Sequence, residues 1–271
     1  MPLRPVIELI GLPTDCNSSH ERGPALAPPL IRAALWSDRG NLACEGGMEI
    51  GQHFELRDRG DLQLFEQPQD DALISAAVSD SIAAGAVPLV LGGDHAISHA
   101  VVRAVHAAHG PLTILHFDAH PDLYADFSGN PRSHASPFAR IMEAGLARRL
   151  VQVGIRTVNR HCREQAERFG VEVVAMAEFA PDRVPLLDGP LYISLDLDGI
   201  DPSEAPGVSH PEPGGLTTRE VLAVLHRQCA RVVGADLVEY NPRFDQHERT
   251  AILAAKLLRE LAALIARNAS A

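Results

Sequence analysis

Two stretches decide how this 271-residue chain is read: LTILHFDAHPDLY at residues 112–124 and LYISLDLDGIDP at residues 191–202. Each opens on a short apolar run and breaks abruptly into carboxylates, imidazoles and a turn. Runs of this length are too short for helices and read as buried strands, here Leu112–Phe117 and Leu191–Leu197. The polar burst that follows belongs to the loop at each strand's carboxyl end, because a strand interior would not tolerate it. Working outward, Val6–Leu12, Val87–Leu91, Leu150–Ile155, Val171–Val174 and Val232–Val238 have the same character. Helical spacing fills the intervals at Ala72–Ala84, Ser98–His109, Pro137–Leu146, Cys162–Phe169, Thr218–Cys229 and Gln246–Arg267. This alternation predicts an α/β fold with helices around a mostly parallel sheet. Thr217 and Glu220 have capping-box spacing at the start of the fifth helix. At about 150 residues per domain the length allows one large domain or two small ones. No repeat or linker marks a boundary, so a single domain over 1–271 is the simplest reading. The Pro- and Gly-rich segments 13–30 and 199–216 read as long loops, which in compact domains are usually functional.

Composition excludes several classes. Acidic residues outnumber basic ones 35 to 24, the net charge is −11, and Lys256 is the only lysine. Nucleic-acid binding needs a basic face, so no nucleic-acid partner is expected. Hydrophobic residues make up 46% and charged residues 22%, values of a globular chain rather than a disordered one. No stretch supplies the roughly 18 apolar residues of a membrane helix; Ser81–Gly93 is short and broken by Gly85 and Pro88. The N-terminal MPLRPVIELIGLP has Glu8 inside its apolar run and no small-residue cleavage site, so it reads as a strand, not a secretory signal. Four well-separated cysteines without a CxxC fit reduced thiols, no structural zinc and a cytoplasmic location.

Four strand ends carry the chemistry: Gly92-Gly93-Asp94-His95, Asp118-Ala119-His120-Pro121-Asp122, Asp196-Leu197-Asp198, and Asp236 with Glu239. In a parallel sheet all carboxyl ends share one edge, where open α/β sheets bind ligands. Residues two apart in extended backbone point the same way, so each run is expected to present its polar groups together. Four carboxylates in one cleft repel unless positive charge sits between them, and two divalent cations would offset all four. Two imidazoles with four carboxylates make too oxygen-rich a set for structural zinc and lean toward Mn²⁺, with zinc, cobalt and nickel left open. A lone Asp after a strand is as often a turn former; a whole cluster is not. Asp94 and Asp201 each border a turn and read as turn residues or supports of the ligands. His99, His106 and His109 read as ordinary helix residues, His116 as a strand residue facing away from the cluster, and His210 as a residue of the pocket mouth.

The motifs GGDHAIS (92–98), HFDAHPDLY (116–124), SHASPFAR (133–140), SLDLDGIDP (194–202), APGVSHPEPGGL (205–216) and VEYNP (238–242) resemble those of the ureohydrolase family, which includes arginases and agmatinases. The resemblance runs nearly end to end and looks most like the plant-type arginases and their bacterial relatives; NSSHERGPALAPPLIR (17–32) is similar to that group's early loop and first helix. It implies a three-layer α/β/α fold, two Mn²⁺ per subunit and assembly into trimers or hexamers. One ion would be held by His95, Asp118, Asp122 and Asp196, the other by Asp118, His120, Asp196 and Asp198. His134 matches the proton-shuttling histidine and Glu239 the carboxylate that holds the guanidinium. The implied reaction is hydrolysis of L-arginine to L-ornithine and urea; agmatine, guanidinobutyrate and a formimino substrate are alternatives.

The chemistry of the residues agrees. A guanidinium carbon is a sluggish electrophile, and a water shared by two cations is acidified enough to attack it near neutral pH. Glu239 would seat the cation, and His134, near its ordinary pKa, would protonate the departing amine. In animal arginases an asparagine and an aspartate stand where this chain has Tyr124 and Asn159. With Ser128, Asn130 and Thr157, these two are the candidates for reading the amino-acid tail. A two-metal phosphoesterase is disfavoured because no Lys or Arg lies inside the ligand motifs. A single-zinc deacetylase is disfavoured because His95 and Asp122 complete a second position. An inactive metal-bound scaffold would have lost a ligand or the shuttle, and neither is missing.

Overall fold

The computed structural model describes residues 4–269; the outermost residues of the 1–271 reading lie outside that range. Its sheet has eight strands: β1 Val6–Leu12, β2 Glu55–Asp61, β3 Val87–Gly92, β4 Leu112–Phe117, β5 Ala147–Val153, β6 Glu172–Val174, β7 Leu191–Asp196 and β8 Val232–Val238. They lie in the order β2-β1-β3-β8-β7-β4-β5-β6, and every neighbouring pair is parallel. Seven α-helices surround the sheet: α1 Ala27–Leu35, α2 Asp70–Ala83, α3 Ile97–His109, α4 Pro137–Glu143, α5 Arg160–Phe169, α6 Thr218–Arg227 and α7 Arg249–Arg267.

A parallel strand covered on both sides must be apolar on both faces. Leu89, Leu91, Leu115, Phe117, Ile193, Leu195 and Leu237 pack in one core with α1, α6 and α7. Val90, Ile114, Tyr192 and Val233 point the other way, into a second core with α2, α3 and α4. Three layers follow from these two cores. Among the described residues no helix is long and apolar enough to cross a membrane.

The structure adds β2, whose ELRDRGD sequence has no apolar alternation to betray it. It is an edge strand, and charge protects its open side from pairing with another chain. Arg32 of α1 pairs with Asp58 at 2.9 Å and with Asp61, and Arg59 reaches Glu8 at 3.3 Å. Helix α1 begins inside the segment read as a loop. Its Pro28 and Pro29 look like breakers but occupy the first turn, where no intrahelical N–H is needed.

The helix ends obey local rules. Asn159 caps α5 by accepting from Cys162 N at 2.9 Å, and Gly170 ends it in the left-handed region. The capping box on α6 is formed: Thr217 Oγ1 accepts from Glu220 N at 3.2 Å and Glu220 Oε2 from Thr217 N at 2.8 Å. Thr217→Ala is expected to cost about 1 kcal/mol of stability, read as a lower urea midpoint at unchanged slope. The central strands β3, β8, β7 and β4 are consecutive neighbours, so the four polar bursts meet at one edge of the sheet.

Candidate metal centre

The sheet ladder runs one residue past β4, Asp118 N donating to Val153 O at 3.0 Å, and beyond it the cluster is assembled by turns rather than by strand alternation. β4 stops at Phe117, and Asp122 turns back through a left-handed conformation at φ 52°. Asp196 is the last residue of β7, and Asp198 sits in the single helical turn Leu197–Gly199. Glu239 is also left-handed, at φ 65°. Such conformations in non-glycine residues are strained and concentrate at functional sites. Two glycines let the loops close up. A Cβ on Gly93 would lie 1.7 Å from Thr14 O, and one on Gly199 would lie 2.8 Å from Asp118 N.

All six proposed ligands come together. His95 Nδ1 lies 3.0 Å from Asp122 Oδ2, 3.0 Å from Asp196 Oδ2 and 3.3 Å from Asp118 Oδ2. His120 Nδ1 lies 3.3 Å from Asp118 Oδ1 and 3.1 Å from Asp198 Oδ2. Among the described residues three ligand-type groups result, His95–Asp118–Asp122–Asp196, Asp118–His120–Asp198 and His95–His116–Asp118, with Asp118 in all of them. Asp196 falls with the first group, its Oδ1 accepting the Asp198 N–H at 2.7 Å. Burial, and then repulsion from neighbouring carboxylates, pushes the pKa values of Asp122, Asp196 and Asp198 upward.

These residues fit a bound cation, as His95 demonstrates. Ser194 Oγ donates its one proton to Asp236 Oδ1 at 2.6 Å, so towards His95 Nε2, 2.9 Å away, it accepts. The His95 proton is then on Nε2, and Nδ1 turns a lone pair towards three carboxylates. That buried nitrogen has no hydrogen-bond partner, because a lone pair and carboxylate oxygens are all acceptors. A lone pair facing three carboxylates calls for a positive centre between them.

His134 and Glu239 face the same pocket as His120, Asp122, Asp196 and Asp198. His134 Nδ1 lies 2.8 Å from Glu239 Oε1, which also accepts from His95 N at 2.8 Å. Burial opposes charging His134, but Glu239 outweighs it and raises the pKa to about 9, above the ordinary value expected from sequence. Ser19 N–H points at Nε2 at 3.1 Å, and Ser19 Oγ lies 2.8 Å from it. The amide bond is surrendered whenever that nitrogen takes a proton. Asp94 accepts from Asn17 N and Ala96 N, tying the 13–23 loop to the site, and burial followed by the charge of Glu239 raises its pKa to about 7. His210 lines the pocket, its ring 5.1 Å from that of His134. Asp201 accepts from Ser203, Gly214 and Gly215 amides, a turn role.

The tail-reading candidates divide. Tyr124 lines the pocket, and its hydroxyl accepts from Asn159 Nδ2 at 2.5 Å. Asn130 instead bonds Asn17 and Arg132 N, and Ser128 is an exposed turn residue at φ 53°. His116 is a correction: it does not face away, and its Nε2 lies 2.9 Å from Asp118 Oδ2. Strand alternation, which places i and i+2 on one side, is the reason. Ser19, Gln152 and Ser194 carry no assigned role in the sequence reading, and Asp236, named there only as a strand-end residue, sits one layer below the cluster. For Ser194 and His116 a signal existed: each is a polar residue two positions before a ligand in an otherwise apolar strand.

The fold and this cluster define a three-layer α/β/α protein with a candidate metal site at the carboxyl edge of its sheet. The Arginase family model matches residues 6–263. Arginase 1, mitochondrial, of Arabidopsis thaliana is 50% identical, over 96% of this chain and 81% of its own. Arginase 2, chloroplastic/mitochondrial, of the same plant is 49% identical, over 96% and 80%. The arginase structure from Medicago truncatula superposes with a TM-score of 0.93 at 44% identity, over 98% of this chain and 89% of that one. The chain belongs to the arginase family, metal-dependent hydrolases of guanidino compounds. The cytoplasmic expectation is corrected by the names of the plant relatives, which are mitochondrial or chloroplastic.

Proposed function

We propose that the chain is an arginase that hydrolyses L-arginine to L-ornithine and urea, as one domain with two Mn²⁺ per subunit. The observation that carries this reading is the convergence of the His134–Glu239 pair and the ligand cluster on one pocket. His95, Asp118, Asp122 and Asp196 would hold one ion and Asp118, His120, Asp196 and Asp198 the other. When bound, the two ions supply an acidified water as nucleophile. Glu239 seats the guanidinium by charge, and His134 keeps a proton for the departing amine at neutral pH. Trimeric or hexameric assembly belongs to the same reading; exposed Leu26, Leu30, Trp36 and Phe244 are apolar side chains that an assembly would cover.

Tyr124 supports arginine over agmatine. Because its hydroxyl accepts from Asn159, it can offer its own proton to an acceptor such as the α-carboxylate, and a donor that this group pairs discriminates against a substrate lacking it. Agmatine is the second reading, favoured by the absence of Lys and Arg from the residues lining the pocket. The test is the ratio of kcat/KM for L-arginine, agmatine and guanidinobutyrate in Mn²⁺-loaded protein. L-Arginine should be the best substrate; a preference for either of the others would remove the arginase assignment and leave guanidino hydrolysis intact.

A further inference from the structure

Beneath the ligand cluster, β5, β4, β7 and β8 each carry one polar side chain at a common level. The sheet register pairs Gln152 with His116, His116 with Ser194, and Ser194 with Asp236. All four are fully buried. The row lies under α3 and α4: His116 stacks on Phe138 with centroids 3.8 Å apart, and Ser98 donates to Asp236 at 2.7 Å. Ser194 and Asp236 orient His95, as described above. The other half of the row acts on Asp118.

Its protons can be assigned. Gln152 Nε2 lies 2.7 Å from Pro121 O and 3.0 Å from His116 Nδ1. A carbonyl only accepts, so the amide nitrogen is the atom on that side, and it meets His116 Nδ1 as a donor. His116 therefore carries its proton on Nε2 and gives it to Asp118 Oδ2 at 2.9 Å. Both ring nitrogens are used, which removes His116 from the ligand set despite its place beside His95 and Asp118. Asp118 Oδ1 is held in turn by His120 N–H at 2.6 Å. With a donor on each oxygen the shared carboxylate cannot rotate. The same Gln152 amide also anchors the turn that carries Asp122.

We propose that His116, clamped by Gln152, is a positioning residue that holds Asp118 in the orientation both metal positions require. This rests on the metal-centre reading above. The test is the apparent affinity of the full-length protein for Mn²⁺, measured by competition with a chelator, alongside the melting temperature of the metal-free protein. His116→Phe keeps a ring against Phe138 but loses the N–H. Gln152→Leu keeps the imidazole but frees its proton to move to Nδ1. Both should weaken Mn²⁺ binding about 10- to 100-fold, the usual effect of losing an outer partner of a ligand. His116→Gln, which retains an N–H donor, should recover most of that loss. Wild-type Mn²⁺ affinity in Gln152→Leu overturns the proposal, even with a lowered melting temperature, since that result describes packing alone. If His116→Phe does not fold, Gln152→Leu decides by itself. Failure of the wild-type protein to take up Mn²⁺ would remove the metal-centre reading and this proposal together.

Discussion

Asp118→Ala is expected to lose both metal ions and to reduce guanidino hydrolysis to background. Asp118, with Asp196, is one of the two residues proposed for both metal positions, and its two oxygens face His95 and His120 at 3.3 Å each. Removing it takes a ligand from both positions, and with the cations gone Asp122, Asp196 and Asp198 stay buried without the positive charge that offsets them. Metal analysis after dialysis should fall from about two Mn²⁺ per subunit to none, and Asp196→Ala should behave alike. A second readout is linkage. Mn²⁺ at 100 times its Kd stabilises a folded protein by about 2.7 kcal/mol per site, so Mn²⁺ should raise the melting temperature of the wild type and not of either variant. An Asp118→Ala protein that keeps one ion and full activity would point to a single-metal enzyme.

His134→Ala is expected to lower kcat by ~100-fold or more, the usual size of a general-acid contribution, with metal content unchanged. His134 lies in none of the ligand-type groups, and its side chain bonds only Glu239 and Ser19. The pH dependence carries the sign. Burial opposes protonation and Glu239 more than restores it, placing the pKa at about 9. The acid form is thus present below that value and lost as pH rises through it. Wild-type turnover should decline on the alkaline side, and His134→Ala should lose that limb. Unchanged turnover would leave His134 a loop histidine; loss of metal with activity would make it a ligand.

The sequence alone determined most of the architecture and which polar residues gather at one edge of the sheet. Seven of the eight strands announce themselves as short apolar runs, because a strand buried on both faces needs little more than length and hydrophobicity. The clustered His and Asp residues were legible because they sit in contiguous bursts directly after those strands, where the parallel arrangement brings them to one edge. β2 was hidden because an exposed edge strand is selected for charge rather than for burial.

Only the tertiary structure decided how the site is held. Asp122 and Glu239 reach it through left-handed backbone that spacing does not encode. Ser19 meets His134 across 115 residues of sequence, and His95 meets Ser194 across 99. The row Gln152–His116–Ser194–Asp236 exists only because β5, β4, β7 and β8 are neighbours in one register. Each member taken singly is a buried polar residue in an apolar strand, and a one-residue slip would turn it to the opposite face. Periodicity reports which face a side chain takes. Hydrogen bonding between strands distant in sequence depends on their order and register, and these are set by the packing of the whole sheet between its two helical layers.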